Sequence, residues 1–434
     1  MRIAIVGNFG LYRKATMASR AVPIAQELAN RGHALTLVLP AEAAEAADGP
    51  VSASADSPRL VSVAGRLPIP LLGHLVFGAR LSWQALRFRP DVLYAFKPKA
   101  YAGLALLLFW VLRRLGLVHA LLALDTDDWE GEGGWADREP GPWWLRQLVI
   151  WQERWCMEHA DVVTVASREL ERLATAPRSG VTSQEAAGED GDAGVLRPGA
   201  ERAASDPVET GRRRVVYAPN AASPSSPGWN PGDGHAARAT LGLADTPLVL
   251  AYTRFVEFDP RRLVDLLTRI RVDVPLAHLL VVGQGLRGEE QIFAGLVQKR
   301  GLAAAVHAIG WVQPQDLPAF FAAADVAAYL LDDTLLNRTK CPMKLVDLLL
   351  AGVAVVADDV GQAREYVVDS RTGYLIPAGN VDAMAERIAS LLRDPCARHT
   401  LGHAARASML AHWTWHEQAT RIAAAFERGL GGRG

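Results

Sequence analysis

Apolar positions along the first half of the chain fall in short continuous runs separated by helically spaced stretches. IAIVG (3–7), ALTLVLP (34–40), VLYAF (92–96), ALLAL (120–124) and VVTVAS (162–167) read as buried strands. Between the first two, Ser19 to Arg31 carries Val22, Ala25, Leu28 and Ala29 at helical spacing, and Gly32 stands where such a helix ends. Repeated strand–helix units with continuously apolar strands predict a parallel sheet covered by helices on both faces. The rhythm restarts with LVLAYT (248–253), HLLVVG (278–283), AVHAIG (305–310), VAAYLL (326–331) and VAVVADD (353–359). The fold class is therefore α/β, with two doubly wound, Rossmann-like domains in tandem, every strand expected parallel. The boundaries read as 1–213 and 214–408. An apolar helical stretch at 409–434 is expected to cross back and brace the first domain.

Two passages break the pattern. Residues 174–214 are rich in Gly, Ala, Ser, Glu, Pro and Arg, too poor in apolar surface to offset their ordering entropy, and read as a flexible insertion. A Pro/Gly/Ser-rich passage at 222–235 reads as the interdomain link. Ligands of doubly wound sheets bind beyond the carboxyl ends of the strands, so two such domains face each other across a cleft.

Composition narrows the choices. A net charge of −1 over 434 residues gives no general attraction to nucleic acid. Three scattered cysteines (Cys156, Cys341, Cys396) lack metal spacing and fit a reducing, cytoplasmic setting. The start, MRIAIVGNFG, is a strand into a glycine turn rather than a signal peptide. Ala100 to Leu112 is apolar but short of the roughly 20 residues of a membrane span, and reads as a buried helix. Residues 66–89 mix Leu72, Leu75, Val76, Phe77 and Trp83 with Arg66, Arg80, Arg87 and Arg89, a basic amphipathic pattern that fits either a sheet-covering helix or peripheral contact with the inner membrane face.

The stretch T-K-C-P-M-K-L-V-D-L-L-L-A-G (339–352) carries the chemistry. Pro342 suits a helix start, and Lys344 and Asp347 lie three apart on one face. Free N–H groups at a helix start, with a lysine, make a site for a diphosphate, and the aspartate one turn on suits ribose hydroxyls. By itself, the same spacing describes a capped amphipathic helix with a surface Lys–Asp pair.

With its flanks, this region resembles the retaining GT-B glycosyltransferases of the large family 4 group. The resemblance rests on PMKLVDLLLAGVAVVADDVGQAREYV, ADV (324–326), TGYLIP (372–377) and VVGQG (281–285) in the second half. The first half adds AxELAxRGH (25–33), PDV (90–92), ADVVTVAS (160–167) and APN (218–220). It extends over nearly the whole chain outside the two irregular passages.

The resemblance implies transfer from a nucleoside diphosphate sugar to a glycan, lipid-linked or small-molecule acceptor, with no metal cofactor. It puts the ribose contact on Asp347 and the donor-sugar glutamate at Thr339, a departure from the family pattern, with Lys340 adjacent. Arg254 matches the family arginine on the diphosphate. The companion lysine has no clean counterpart, Arg261 or Arg262 being near in spacing, while Lys344 is a second diphosphate contact. Trp311 and Val312 are placed at the base, and Gly283 in the glycine turn of the donor site. The loop 7–17 brings Gly10 and Thr16 toward the donor phosphates and Lys14 toward the acceptor.

LDTDDWEG (124–131) puts Asp125, Asp127 and Asp128 at a strand end. Asp125 joins Arg254 and Lys344 as a catalytic candidate, while Asp127, Trp129 and Trp135 are acceptor candidates. The alternative for Asp127 or Asp128 is helix capping, and for the aromatics simple packing. GQGLRG (283–288) lacks the ribose-binding acid of a dinucleotide site, and His399/His403 and His412/His416 lack the glutamate of a zinc hydrolase. A nucleotide-sugar epimerase and a catalytically degenerate sugar-nucleotide binder share the same architecture.

Overall fold

Two β-sheets, each flanked by helices, face each other in the computed structural model. It describes residues 1–11, 16–41, 49–50, 57–66, 69, 72–176, 208–210, 213–222 and 231–432. The first sheet has nine strands. Its central five, in spatial order, are Ala34–Pro40, Arg2–Val6, Val92–Phe96, Leu121–Thr126 and Val162–Val165. They pair in parallel, with Ile3 opposite both Leu35 and Val92. Arg59–Val63 extends one side and Arg213–Tyr217 the other. The second sheet has six parallel strands in the order Val306–Gly310, His278–Val282, Leu248–Tyr252, Val326–Tyr329, Ala354–Asp358 and Tyr374–Ile376.

The expectation of purely parallel sheets needs correction at both edges of the first. Gly49–Pro50 and Val208–Thr210 pair antiparallel with Arg59–Val63 and Arg213–Tyr217. Short antiparallel edge pieces need only a tight turn, so they escape a search for strand–helix units. They also correct the extent of the irregular passage at 174–214, which holds Val208–Thr210. Its residues 177–207 and 211–212 lie outside the described residues. The passage at 222–235 includes the start of a helix, Pro231–Leu241, and its residues 223–230 also lie outside the described ones.

Alternation along the strands divides the first domain's core in two. Leu122 and Leu124 pack under the helices Leu72–Arg87, Ala100–Arg114 and Trp143–His159. On the opposite face, Leu121 and Ala123 join Ile3, Ile5 and Tyr94 beneath Val22–Asn30 and the last helix, Trp415–Gly431. Thr414 caps that last helix by accepting a hydrogen bond from the Glu417 amide. Trp415, Ile422 and Phe426 bury its apolar stripe against the first sheet, with Phe426 edge-on to Tyr94 at 5.2 Å. Among the described residues no helix is long and apolar enough to cross a membrane.

Candidate functional site

The carboxyl ends of the two sheets carry most of the polar side chains buried between the domains. On the second-domain side, Leu248–Tyr252 runs into Thr253, Arg254 and a turn in which Phe255 takes φ +61°. The turn brings Glu257 back under Arg254. One Glu257 oxygen accepts hydrogen bonds from Arg254 Nη2 and from Lys340 Nζ, both at 3.2 Å. Lys340 leaves the short helix Leu335–Thr339, and Pro342 then breaks the chain before the helix Met343–Ala351 starts. No side chain caps that helix start. Lys344 reaches back until Nζ stands 5.6 Å from the Tyr252 ring centre, and Asp347 follows one turn on.

Three cations and two carboxylates thus share one half-buried corner. Burial would raise the Glu257 carboxyl, but Lys344, Lys340 and Arg254 together hold it well below the usual carboxylate range. Burial presses Lys344 down to about 7, reinforced by Arg254 and Lys340 and opposed by Glu257 and Asp347. Asp347 is pushed up to about 7 by burial, against the pull of Lys344. A cavity of about 10 Å³ lined by Tyr252, Thr253, Glu257, Tyr329 and Lys344 holds no more than one water.

Gly283 forms the wall beside this corner. Its φ is +118°, and a Cβ there would stand 1.9 Å from the Thr253 carbonyl oxygen. Its amide donates to the Gly310 carbonyl at 2.7 Å, which puts Trp311 and Val312 just beyond. Trp311 is exposed and Val312 half-buried.

The first domain answers with its own charged cluster. Lys97, at φ +70° directly after the strand Val92–Phe96, reaches Asp127 at 3.0 Å, Asp128 at 3.3 Å and Glu130 at 3.2 Å. Lys99 pairs with Glu130 at 2.5 Å and Glu139 at 3.3 Å. Burial would raise the Asp128 carboxyl, yet Lys97 of its own domain and Lys340 and Arg254 of the other draw it down. The domains also touch here: Lys340 Nζ lies 5.4 Å from the Trp135 ring centre, and Arg138 donates to the Val256 carbonyl at 3.0 Å. Gly10 is buried in the turn after the first strand, whose neighbour Asn8 accepts from the Ala102 amide at 2.8 Å. Thr16 is half-buried just before the π-helical turn Met17–Ala21, and Lys14 lies outside the described residues.

The structure therefore gathers Arg254, Lys340, Lys344 and Asp347 into one corner, with Gly283 beside it and Asp127 and Trp135 opposite. Three expected positions are corrected. Asp125 is enclosed rather than facing the cleft: Arg20 holds both its oxygens at 2.8 and 2.7 Å, and Thr164 donates at 2.6 Å. Thr339 is fully buried, its hydroxyl donating to the Leu336 carbonyl at 3.0 Å, which leaves no side-chain group for a sugar. Trp129 is buried with its indole N–H on the Glu132 carbonyl at 2.7 Å, so its ring belongs to packing.

The second-cation alternatives are corrected as well. Arg262 is locked onto Asp358 at 2.9 and 2.8 Å and Asp332 at 2.6 Å, and Arg261 is exposed beside Asp259. The cations that do stand beside Arg254 are Lys340 and Lys344, from the neighbouring strand's connection. Sequence reasoning missed Glu257, Lys97 and Lys99. The signal for Glu257 was an acid three residues after the strand-end arginine; for the lysines it was K-P-K directly after an apolar strand.

Two facing α/β domains with a basic, helix-start corner between them define a GT-B architecture, and comparison with known proteins agrees. The family described as "Glycosyl transferases group 1" matches residues 236–408, and "Glycosyl transferase 4-like domain" matches residues 16–187. The chain belongs to the GT-B glycosyltransferases, family 4-like. It is similar to the GDP-mannose-dependent alpha-(1-6)-phosphatidylinositol monomannoside mannosyltransferase of Mycolicibacterium smegmatis, at 31% identity over 192 residues. That match covers 43% of this chain and 49% of the other, so the chain spans about half the length of the curated relatives it matches. Among solved structures, Anabaena Alr3699/HepE in complex with UDP and glucose superposes with a TM-score of 0.67 at 18% identity, covering 98% of this chain and 99% of that one. The catalytic domain of starch synthase IV from Arabidopsis thaliana, bound to ADP and acarbose, reaches 0.70 at 12% identity, covering 99% of each chain. At these identities the structural likeness is one of fold.

Proposed function

We propose that the protein transfers a sugar, with retention at the anomeric carbon, from a nucleoside diphosphate sugar to a lipid-linked or glycan acceptor. The observation that carries this reading is the convergence of Arg254, Lys340 and Lys344 at the uncapped start of the helix Met343–Ala351. Arg254 and Lys344 hold the diphosphate, Asp347 the ribose, and the backbone at Trp311 and Val312 the base. In the transfer, the acceptor oxygen bonds to the anomeric carbon as the bond from that carbon to the diphosphate oxygen breaks. The acceptor proton passes to the departing phosphate, so no protein nucleophile is needed. Negative charge grows on the leaving group, and preorganised cations stabilise it more in the transition state than before. Donor binding would exchange the Lys340–Glu257 ion pair for contacts to the diphosphate.

Support for a lipid-linked acceptor comes from the relatives' phosphatidylinositol mannoside acceptors, and the same reading places the protein peripherally at the inner membrane face. The test pairs calorimetry using nucleoside diphosphates with transfer assays that supply GDP-mannose or UDP-glucose and a membrane lipid extract. Acceptor-dependent product with retained configuration supports the proposal. Binding without turnover would mark a degenerate binder, and donor conversion without acceptor an epimerase.

No resident metal is required in this scheme, because Arg20 pairs with Asp125 and Lys97 stands against Asp127 and Asp128 where a metal would otherwise sit. Treatment with EDTA should leave transfer unchanged, and a loss restored by added Mg²⁺ or Mn²⁺ would reject this part.

Proton linkage gives a sharper test. With Lys344 near 7, the free protein at pH 8 carries that amine mostly neutral. A bound diphosphate favours the charged form, so binding at pH 8 should take up a proton. Nucleotide affinity should fall as pH rises through about 7. Calorimetry in buffers of different ionisation enthalpy reads the uptake, which Lys344→Met should abolish; equal uptake in the variant would contradict the assignment.

A further inference from the structure

Helices that cover a sheet normally keep one apolar stripe inward and present polar residues to water. On one face of the first domain the outward sides are apolar too. Leu72, Leu75, Val76 and Trp83 are all exposed and fall on one stripe of Leu72–Arg87. Trp144, Leu148 and Trp151 repeat the spacing on Trp143–His159. Between these two helices lies Ala100–Arg114, with Val111 exposed in its last turn and Leu115 and Leu117 exposed just beyond it. Most of the exposed large apolar side chains among the described residues sit on this face, including Trp143 at 76% and Leu117 at 67% exposure.

Charge on the same face leans basic, although Trp143–His159 places the exposed Glu158 on the stripe of Trp144 and Trp151. Neither Leu72–Arg87 nor Ala100–Leu117 contains an acid, while Arg80, Arg87 and Arg114 are exposed on them and Arg66 and Arg89 flank the first. The whole chain has a net charge of −1, so this basic bias is local. We propose that this three-helix face docks on an anionic lipid bilayer, its tryptophans and leucines entering the interface and its arginines meeting the headgroups. Exposed tryptophans flanked by arginines are the residue types that settle at that depth. A second copy of the chain fits poorly, because a two-fold contact sets each patch against itself and so arginine against arginine.

Docking on this face also orients the cleft. All three helices begin at the end of the sheet where the strands' carboxyl termini lie: Ala100 follows Lys99, and Trp143 follows the loop that holds Asp127, Asp128 and Trp135. The cleft rim therefore lies at one edge of the apolar face, where an acceptor anchored by its acyl chains can present its head. This last step rests on the transferase reading; the docking itself does not.

The test uses the full-length protein without donor, sedimented with phosphatidylcholine vesicles made with and without phosphatidylglycerol. Binding is expected only with the anionic lipid and should weaken with salt. Arg80→Gln, Arg87→Gln and Arg114→Gln combined should cost about 10²-fold in partitioning. The pair Trp144→Ser and Leu148→Ser should release the protein even at low salt, with circular dichroism checking the fold. Both variants should keep wild-type turnover on a water-soluble acceptor. No sedimentation of the wild type, equal binding to neutral vesicles, or concentration-dependent dimers lost in the tryptophan variant would each overturn the docking. So would hydrogen exchange that shows the face already covered in the free protein. If vesicles bind but no sugar moves with any acceptor, docking stands and the transferase reading falls; turnover without vesicle binding gives the reverse.

Discussion

Arg254→Ala should lower kcat by about 10²–10³-fold, the usual cost of losing one preorganised donor to a developing anion. The guanidinium is 40% exposed and its ion pair is to Glu257 at 3.2 Å, so its loss should leave the fold intact. On the proposed reading the negative charge it meets increases as the sugar–phosphate bond breaks, so kcat should fall more than KM rises. Arg254→Lys should recover part of the loss, since a point charge replaces the fork without its paired donors. Glu257→Gln provides the counter-test. Glu257 holds the Lys344 amine up against burial, so its removal should move the alkaline limb of the pH profile to lower pH. Steady-state kinetics on a defined donor and acceptor decides the matter: near-normal turnover for Arg254→Ala would falsify the assignment of this corner to the leaving group.

The basic corner was legible in sequence as far as its parts are local. Pro342, Lys344 and Asp347 lie within one helix turn or two of each other, so helical periodicity alone puts the last two on one side. Strand-end Arg254 was visible because a long apolar strand stops there. Glu257 was not, since its importance comes from Lys340, 83 residues further on, and no local pattern joins them. The second cation was sought by spacing at Arg261 or Arg262. What spacing cannot reveal is competition: Asp358, ending the strand Ala354–Asp358, had already taken Arg262. The resemblance puts the donor-sugar contact at Thr339, but the five-residue helix it ends turns its hydroxyl inward. The two-sheet architecture was easier to see, because continuous apolar runs separated by helical stretches leave few other layers open to the chain.

Asp125 teaches the same lesson through strand alternation and leads to the largest expected effect on stability. Its strand continues through Thr126, so the side chain shares a face with Leu121 and Ala123 rather than opening into the loop beyond. That face is the dry one under the last helix, and there Asp125 is almost completely buried against Arg20, Tyr94 and Thr164. Arg20 also donates to Asn220 at 3.2 Å, and Asn220 in turn donates to the Cys341 carbonyl at 2.6 Å, just before the helix Met343–Ala351. Asp125→Ala would leave a guanidinium uncompensated in this interior, at a cost of roughly 3–5 kcal/mol. For a domain of this size that corresponds to a fall of about 10 °C in the first domain's melting temperature. Replacing the pair with apolar residues, Arg20→Met with Asp125→Leu, should recover most of the loss because neither charge is then left alone. Differential scanning calorimetry on both variants measures the effect. If the single variant melts with the wild type, the pair is not the brace that its geometry describes. If the double variant is active, Asp125 acts on the donor site only through structure; an inactive but fully stable double variant would return Asp125 to the chemistry.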